Sequence, residues 1–160
     1  MLRYFAVAAL IALAAVQAPA QEVKRSSGHG AWGVFRDGTG ADLLCWVAAS
    51  ARLGALPLDG EAVPPEQILV LFTPSNGQLS MELRGGATPR EDGIFTVGDD
   101  SFAIFFQDGW GWLKSKGADT LVKGLMRTHE TAYVRIGEAG YALSLEGFAP
   151  AVEEAKALCR

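Results

Sequence analysis

The chain has 160 residues, 49% of them hydrophobic, and a formal net charge of −4, with only two histidines and two cysteines. This mild acidity excludes a nucleic-acid-binding role, which requires a concentrated basic face. The one basic cluster, Lys24-Arg25, is too small to form such a face. The length is typical of one domain built around one hydrophobic core.

The first twenty residues have the pattern of a signal peptide. Arg3 supplies a positive charge, residues 5–16 form an uninterrupted apolar run, and residues 18–20 (Ala-Pro-Ala) match a signal peptidase site. An apolar helix of this length rises about 18 Å and cannot cross a hydrocarbon core about 30 Å thick. We therefore expect residues 1–20 to be cleaved, leaving no integral membrane span, in a periplasmic or secreted protein.

The segment that follows the predicted cleavage site is expected to be a flexible N-terminal tail, residues 21–30, before a single domain at 31–160. GHGAWG at 28–33 matches the G-x-G-x-x-G spacing of nucleotide-binding loops. Such a loop requires a strand before it and a helix after it, and neither is predicted here. We interpret the match as accidental and predict no cofactor.

Short apolar or alternating runs, separated by Gly, Pro, Asn and Asp, dominate the chain from residue 31 onward. In QLSMELR the apolar residues Leu79, Met81 and Leu83 alternate with polar ones, as in a half-buried strand. DLLCWVAAS at 42–50 is apolar on both faces, as in a central strand. About nine such strands predict a mainly β fold, an immunoglobulin-like antiparallel β-sandwich.

Two segments depart from the β pattern. The spacing of apolar residues predicts a short helix near 120–127, with Asp119 as its N-cap. Residues 148–159 place apolar side chains at three- and four-residue steps, which predicts an amphipathic C-terminal helix.

The two cysteines, Cys45 and Cys159, lie on the predicted central strand and in the last turn of the predicted C-terminal helix. In an oxidising compartment two thiols in a small domain usually pair, so we expect a disulfide. The alternative is two buried free cysteines. The apolar surroundings of Cys45 disfavour the thiolate that a catalytic nucleophile needs.

No catalytic or metal-binding constellation is visible in the sequence, which lacks HExxH, CxxC and GxSxG motifs. His29 lies between glycines, and His129 follows the first predicted helix without a sequence-local catalytic constellation. The acidic pairs at 91–92 and 99–100 are interpreted as turn residues. We predict a non-catalytic protein; the alternative is a periplasmic hydrolase in which folding brings an acid to His129.

The tryptophans provide a candidate ligand platform. Trp110 and Trp112 are two residues apart in GWGW, so a strand there places both on the same side. Tryptophan platforms bind sugars and peptides, and the sequence therefore predicts a sugar- or peptide-binding surface as a further alternative. Packing in the core or between sheets would also explain these residues.

Five segments, in this order, resemble the invasion-associated locus B family of exported alphaproteobacterial proteins. They are WGVF (32–35), LLCWVAAS (43–50), GWGWLKS (109–115), LVKGLMR (121–127) and SLEGFAPAVEEAKALC (144–159), the last being the most specific. The resemblance implies an immunoglobulin-like β-sandwich with helical additions, no established catalytic residue or cofactor, and binding to an unknown envelope or host-surface component. Glu146 stands where members commonly have a basic residue.

Overall fold

A computed structural model describes residues 23–55 and 65–160, so the predicted signal peptide at 1–20 lies outside the described residues. The strands are β1 (Lys24–His29), β2 (Trp32–Asp37), β3 (Leu44–Ala55), β4 (Gln67–Thr73), β5 (Gln78–Arg84), β6 (Gly93–Val97), β7 (Asp100–Gln107), β8 (Trp110–Leu113), β9 (Thr131–Ile136) and β10 (Ala139–Ser144). The α-helices are α1 (Ala118–Met126) and α2 (Phe148–Leu158), and a short 3-10 helix covers Gly40–Asp42.

Eight of these strands form a closed antiparallel sheet, a barrel. Their order around the ring is β3-β10-β9-β6-β7-β8-β5-β4, and β4 pairs in turn with β3. The hairpin of β1 and β2 continues the sheet beside β3. The predicted mainly β, antiparallel class is therefore confirmed.

The predicted immunoglobulin-like β-sandwich is corrected, because the strands form one continuous ring rather than two separate sheets. The closure depends on β3, which has 12 residues. On one edge its residues 47–52 pair with β4. On the other edge, residues 44–48 pair with β2 and residues 52–55 pair with β10. An alternating pattern shows which face of a strand is apolar but not which strands are its neighbours.

The predicted flexible tail at 21–30 contains a strand instead. β1 pairs with β2 along its length, and the glycines of GHGAWG belong to this hairpin. At its turn, the Ala31 N–H donates a hydrogen bond of 3.1 Å to the Glu146 carbonyl. Contacts with residues more than a hundred positions away order this segment, and no local sequence pattern reports them.

Both predicted helices are confirmed to within two residues at each end. They lie at the same end of the barrel, where Arg127 after α1 donates a hydrogen bond of 2.8 Å to Glu153 of α2. The predicted N-cap is wrong: Gly117 occupies that position, with a φ of 85°. Asp119 instead accepts a hydrogen bond of 2.7 Å from the Leu79 N–H and ties α1 to β5.

The inward-facing side chains of the strands fill the barrel, and the buried side chains of α1 and α2 belong to the same hydrophobic core. The largest fully buried ones are Trp32, Tyr141, Phe72, Phe95, Phe148, Ile68, Leu79, Met81, Ile104, Met126, Leu143 and Val34. The Tyr141 hydroxyl donates a hydrogen bond of 2.7 Å to the Pro65 carbonyl, and burial raises its pKa to about 12. This phenol therefore stays protonated at physiological pH.

Helix α2 is held at both ends. At its start, the Phe148 ring lies against Trp32 and Phe72, with ring centroids 4.8 and 5.7 Å apart. At its end, the predicted disulfide is confirmed: Cys45 and Cys159 are joined by a bond of 2.01 Å. Within the described residues, no helix is long and apolar enough to cross a membrane.

Gly147→Ala is expected to destabilise the protein severely. Gly147 has a φ of 86°, and a Cβ there would overlap the backbone carbonyl of His29 in the β1–β2 turn. A side chain on this left-handed backbone is strained, and it also overpacks the turn. Together these effects should lower the free energy of unfolding by about 3 kcal/mol or more. Urea unfolding measures this loss. Gly124→Ala is the matched control, because a Cβ at Gly124 in α1 meets open space and should stabilise the helix slightly. Equal stabilities of the two variants would contradict the prediction.

Reducing the disulfide is expected to lower the melting temperature. The bond links residues 114 positions apart, so the chain-entropy model predicts a loss of about 4–5 kcal/mol and a shift of roughly 10 °C or more. Melting followed by circular dichroism with and without a reductant measures the shift. The double variant Cys45→Ser/Cys159→Ser should melt like the reduced protein and not respond to the reductant. An unchanged melting temperature after complete reduction would show that the disulfide does not stabilise the fold.

Candidate aromatic binding surface

The four tryptophans divide into one inside the fold and three on the outside of the sheet. Trp32 is fully buried, and its Nε1 donates a hydrogen bond of 3.0 Å to the Ser144 carbonyl. Trp46 faces outward on β3 and stacks on Phe35 of β2. The remaining two belong to β8, and they form the part of the outer surface with the largest group of neighbouring aromatic rings.

The alternation of side chains along β8 explains where its tryptophans point. Gly111 and Leu113 are buried and face the barrel interior, so Trp110 and Trp112 face outward. Phe105 of β7 is paired directly with Trp112 and also faces outward. The predicted platform residues thus lie on the same side of one strand, and Phe105 joins them.

Phe105, Trp110 and Trp112 form a patch of stacked rings, here called the aromatic surface. The ring centroids of Trp110 and Trp112 are 6.4 Å apart with an interplanar angle of 23°. Those of Phe105 and Trp112 are 5.4 Å apart with an angle of 30°. Trp110 is 37% exposed and Phe105 36% exposed, whereas Trp112 between them is half-buried. The rings are therefore open to solvent but hold one another in place.

Polar side chains border the aromatic surface on both neighbouring strands. Trp110 pairs with Glu82 of β5 and Gln107 of β7, and Trp112 pairs with Ser80 of β5. Among the described residues, the two indole N–H groups and the side chains of Ser80 and Gln107 have no hydrogen-bond partner. These donors and acceptors are available to a bound molecule. Ser80, Glu82 and Gln107 could not be identified from the sequence, because the strand pairing that brings them to the tryptophans has no local signal.

Most charged groups around the aromatic surface are neutralised by an opposite charge. Arg84 donates a hydrogen bond of 3.0 Å to Glu82, and Lys114 donates one of 2.7 Å to Asp92. The predicted turn residue Asp92 therefore pairs with the residue that follows β8. The exposed Asp108, in the turn between β7 and β8, adds a negative charge at one end.

His129, the candidate for the alternative hydrolase, is exposed after the end of α1. Its Nδ1 lies 2.9 Å from the Leu125 carbonyl and 3.2 Å from the Thr128 hydroxyl. Within the described part of the chain, these contacts include a hydroxyl but no carboxylate. The described residues also contain no group of three His, Cys, Asp or Glu side chains arranged to hold a metal ion.

His29 belongs to a polar cluster between β1 and α2 that the sequence analysis missed. Its Nε2 lies 2.5 Å from one oxygen of Glu154, and the Ser27 hydroxyl donates a hydrogen bond of 2.6 Å to the other oxygen. These hydrogen bonds, that of Ser27 first and that of His29 second, hold the pKa of Glu154 below its usual value. In a Ser-His-acid triad the histidine lies between the serine and the acid. Here the Glu154 carboxylate lies between Ser27 and His29, so the cluster is not such a triad.

The Glu154 cluster is expected to make part of the stability depend on pH. A carboxyl whose pKa is lower in the folded state stabilises the fold above its unfolded pKa, and this stabilisation is lost as pH falls through the folded pKa. Glu154→Gln should lower the free energy of unfolding at pH 7 by about 0.5–1 kcal/mol. The difference from the unsubstituted protein should shrink as pH falls through the folded pKa of Glu154, because a protonated Glu154 is uncharged, as the glutamine is.

Urea unfolding at pH 7, 5 and 3 tests this expectation. Glu138→Gln is the control, because it removes an exposed carboxylate from the β9–β10 turn. A Glu154→Gln effect that is constant with pH, or matched by Glu138→Gln, would show that the cluster does not act through the carboxylate.

Comparison with protein-family models, with curated proteins and with solved structures finds no match to this chain.

Proposed function

We propose that the protein is exported and acts by binding a component of the cell envelope or of a host surface through its aromatic surface. The observation that carries this proposal is the outward, stacked arrangement of Trp110 and Trp112. Exposed aromatic clusters bordered by polar groups are typical of recognition sites, because the rings supply contact area and the polar groups supply orientation. On this proposal the protein has no catalytic role.

Two features support export. The apolar run at residues 5–16, followed by Ala-Pro-Ala at 18–20, is the pattern of a cleaved signal peptide. The Cys45–Cys159 disulfide is of the kind that persists in the periplasm and outside the cell. We propose that residues 1–20 are removed and that the remaining chain is periplasmic or secreted.

We also propose membership of the invasion-associated locus B family. The support is the order of five motifs, of which Ser144 to Cys159 is the longest. The structure gives several of these motif residues a physical role. Gly147 packs on the β1–β2 turn, Phe148 packs on Trp32, and Cys159 closes the disulfide. A role in host-cell entry is not part of the proposal.

Site-specific photo-crosslinking in intact cells tests binding at the aromatic surface. A photoreactive residue at position 107, next to Trp110, should form adducts with a component of the envelope or of a host surface to which the cells are exposed. Adducts should fall by about tenfold when Trp110→Ala is added, because central aromatic residues dominate binding energies at interfaces.

The matched control places the same photoreactive residue at position 133. Tyr133 is 55% exposed and faces outward on β9, away from the tryptophans. Equal adduct yields from the two positions, or adducts from position 107 that survive Trp110→Ala, would contradict the proposal.

A further inference from the structure

We propose that the aromatic surface binds a neutral oligosaccharide whose sugar rings carry mainly equatorial substituents. This inference rests on the proposed function, because it names the ligand class for the same surface. Sugars of this kind have apolar C–H faces and a rim of hydroxyl groups. They therefore need aromatic faces and hydrogen-bonding groups side by side.

The aromatic surface offers both kinds of contact. Aromatic rings come from Phe105, Trp110 and Trp112. The ring centroids of Phe105 and Trp112 are 5.4 Å apart, and those of Trp110 and Trp112 are 6.4 Å apart. Around them stand Ser80 and Gln107, whose side chains have no hydrogen-bond partner within the described residues. An entirely apolar ligand would leave these polar groups without water and without a partner, which is unfavourable. A ligand with hydroxyl groups satisfies them.

The strand pairing disfavours an extended peptide as the ligand. Peptides that add to a sheet bind through the free backbone groups of an edge strand. β8 pairs with β5 on one side and with β7 on the other, so its edges are already occupied. A ligand of this surface must therefore be recognised through side chains, which suits a saccharide.

The charges indicate a neutral ligand. Arg84 and Lys114, the cations beside the aromatic surface, are each paired with a carboxylate. An acidic polysaccharide would have to compete for these cations, and it would also meet the exposed Asp108. Trp112 stacks on both other rings, so the three rings form one continuous aromatic cluster.

Titration calorimetry of the exported, disulfide-bonded protein tests the proposal with three probes. Cellohexaose and chitohexaose are neutral β-1,4-linked hexasaccharides with equatorial substituents, and decaproline is a peptide that binds aromatic surfaces without using a sheet edge. We expect saturable binding of at least one hexasaccharide. Trp110→Ala and Trp112→Ala should each weaken it by about tenfold or more.

Two further variants distinguish a loss of ligand binding from a loss of folding. Gln107→Ala removes an exposed amide and should weaken binding by about threefold to tenfold, as expected for one hydrogen bond, without a change in melting temperature. Tyr133→Ala, which removes an exposed aromatic ring elsewhere on the sheet, should leave the affinity unchanged.

The proposal is overturned if neither hexasaccharide binds, or if one binds with an affinity that Trp110→Ala and Trp112→Ala do not change. Decaproline binding that depends on the tryptophans, without hexasaccharide binding, would overturn the saccharide class but support the aromatic surface as the binding site. If the photo-crosslinks at position 107 are also independent of Trp110, the proposed function fails together with this inference.

Discussion

The double pairing of β3 is the constraint on which the rest of the structure depends. A strand buried in a ring has to satisfy its backbone groups on both edges, because an unpaired buried amide or carbonyl is strongly unfavourable. β3 does so by pairing with β4 on one edge and with β2 and then β10 on the other. Its first half therefore leaves the ring and needs a separate cover for its apolar inner face. Helix α2 supplies that cover, and the disulfide fastens the end of the helix to Cys45 on the same half-strand. The hairpin, the helix and the ring closure thus form one interdependent unit.

Buried side chains fill the interior of the barrel, so the binding surface proposed above has to lie on the outside. Inward positions around the ring carry large apolar side chains, among them Phe95, Ile104 and Tyr141, each fully buried. Eight-stranded barrels are narrow enough for such side chains to fill them. At one end of the ring, α1 and α2 are joined by the Arg127–Glu153 ion pair. A binding role for this protein consequently has to use an outer face, a rim or a loop. The outer face of β5, β8 and β7 carries the aromatic rings.

The features that could be predicted from the sequence are those that depend on residues close together along the chain. Alternation and helical spacing depend on neighbours a few residues away. They located both helices to within two residues and β5 over its full length. They missed β1, and β3 extends to Ala55, beyond the predicted segment 42–50. The disulfide was also predictable, because two cysteines allow only one intramolecular pairing.

The prediction of a flexible tail at 21–30 was wrong because Ser27 and His29 are ordered by Glu154, more than a hundred residues later. The prediction of a β-sandwich was wrong for the same reason, because the order of strands in a sheet depends on contacts between residues far apart in the sequence. In the candidate site, GWGW placed Trp110 and Trp112 on one side, but Phe105 and the polar border depended on cross-strand register.

Packing in the core explains Gly111, but it does not explain the two outward-facing tryptophans on either side of it. Gly111 faces inward, and a Cβ there would lie 2.8 Å from the Phe106 ring, so the core requires a residue without a side chain. The packing that selects Gly111 makes no comparable demand on the outward positions 110 and 112, where the aromatic rings pack mainly on one another and on Phe105. These ring contacts stabilise the sheet, yet they leave Trp110 37% exposed and Phe105 36% exposed. Because clusters of exposed aromatic rings raise the risk of aggregation, this exposure is consistent with the proposal that a ligand covers them.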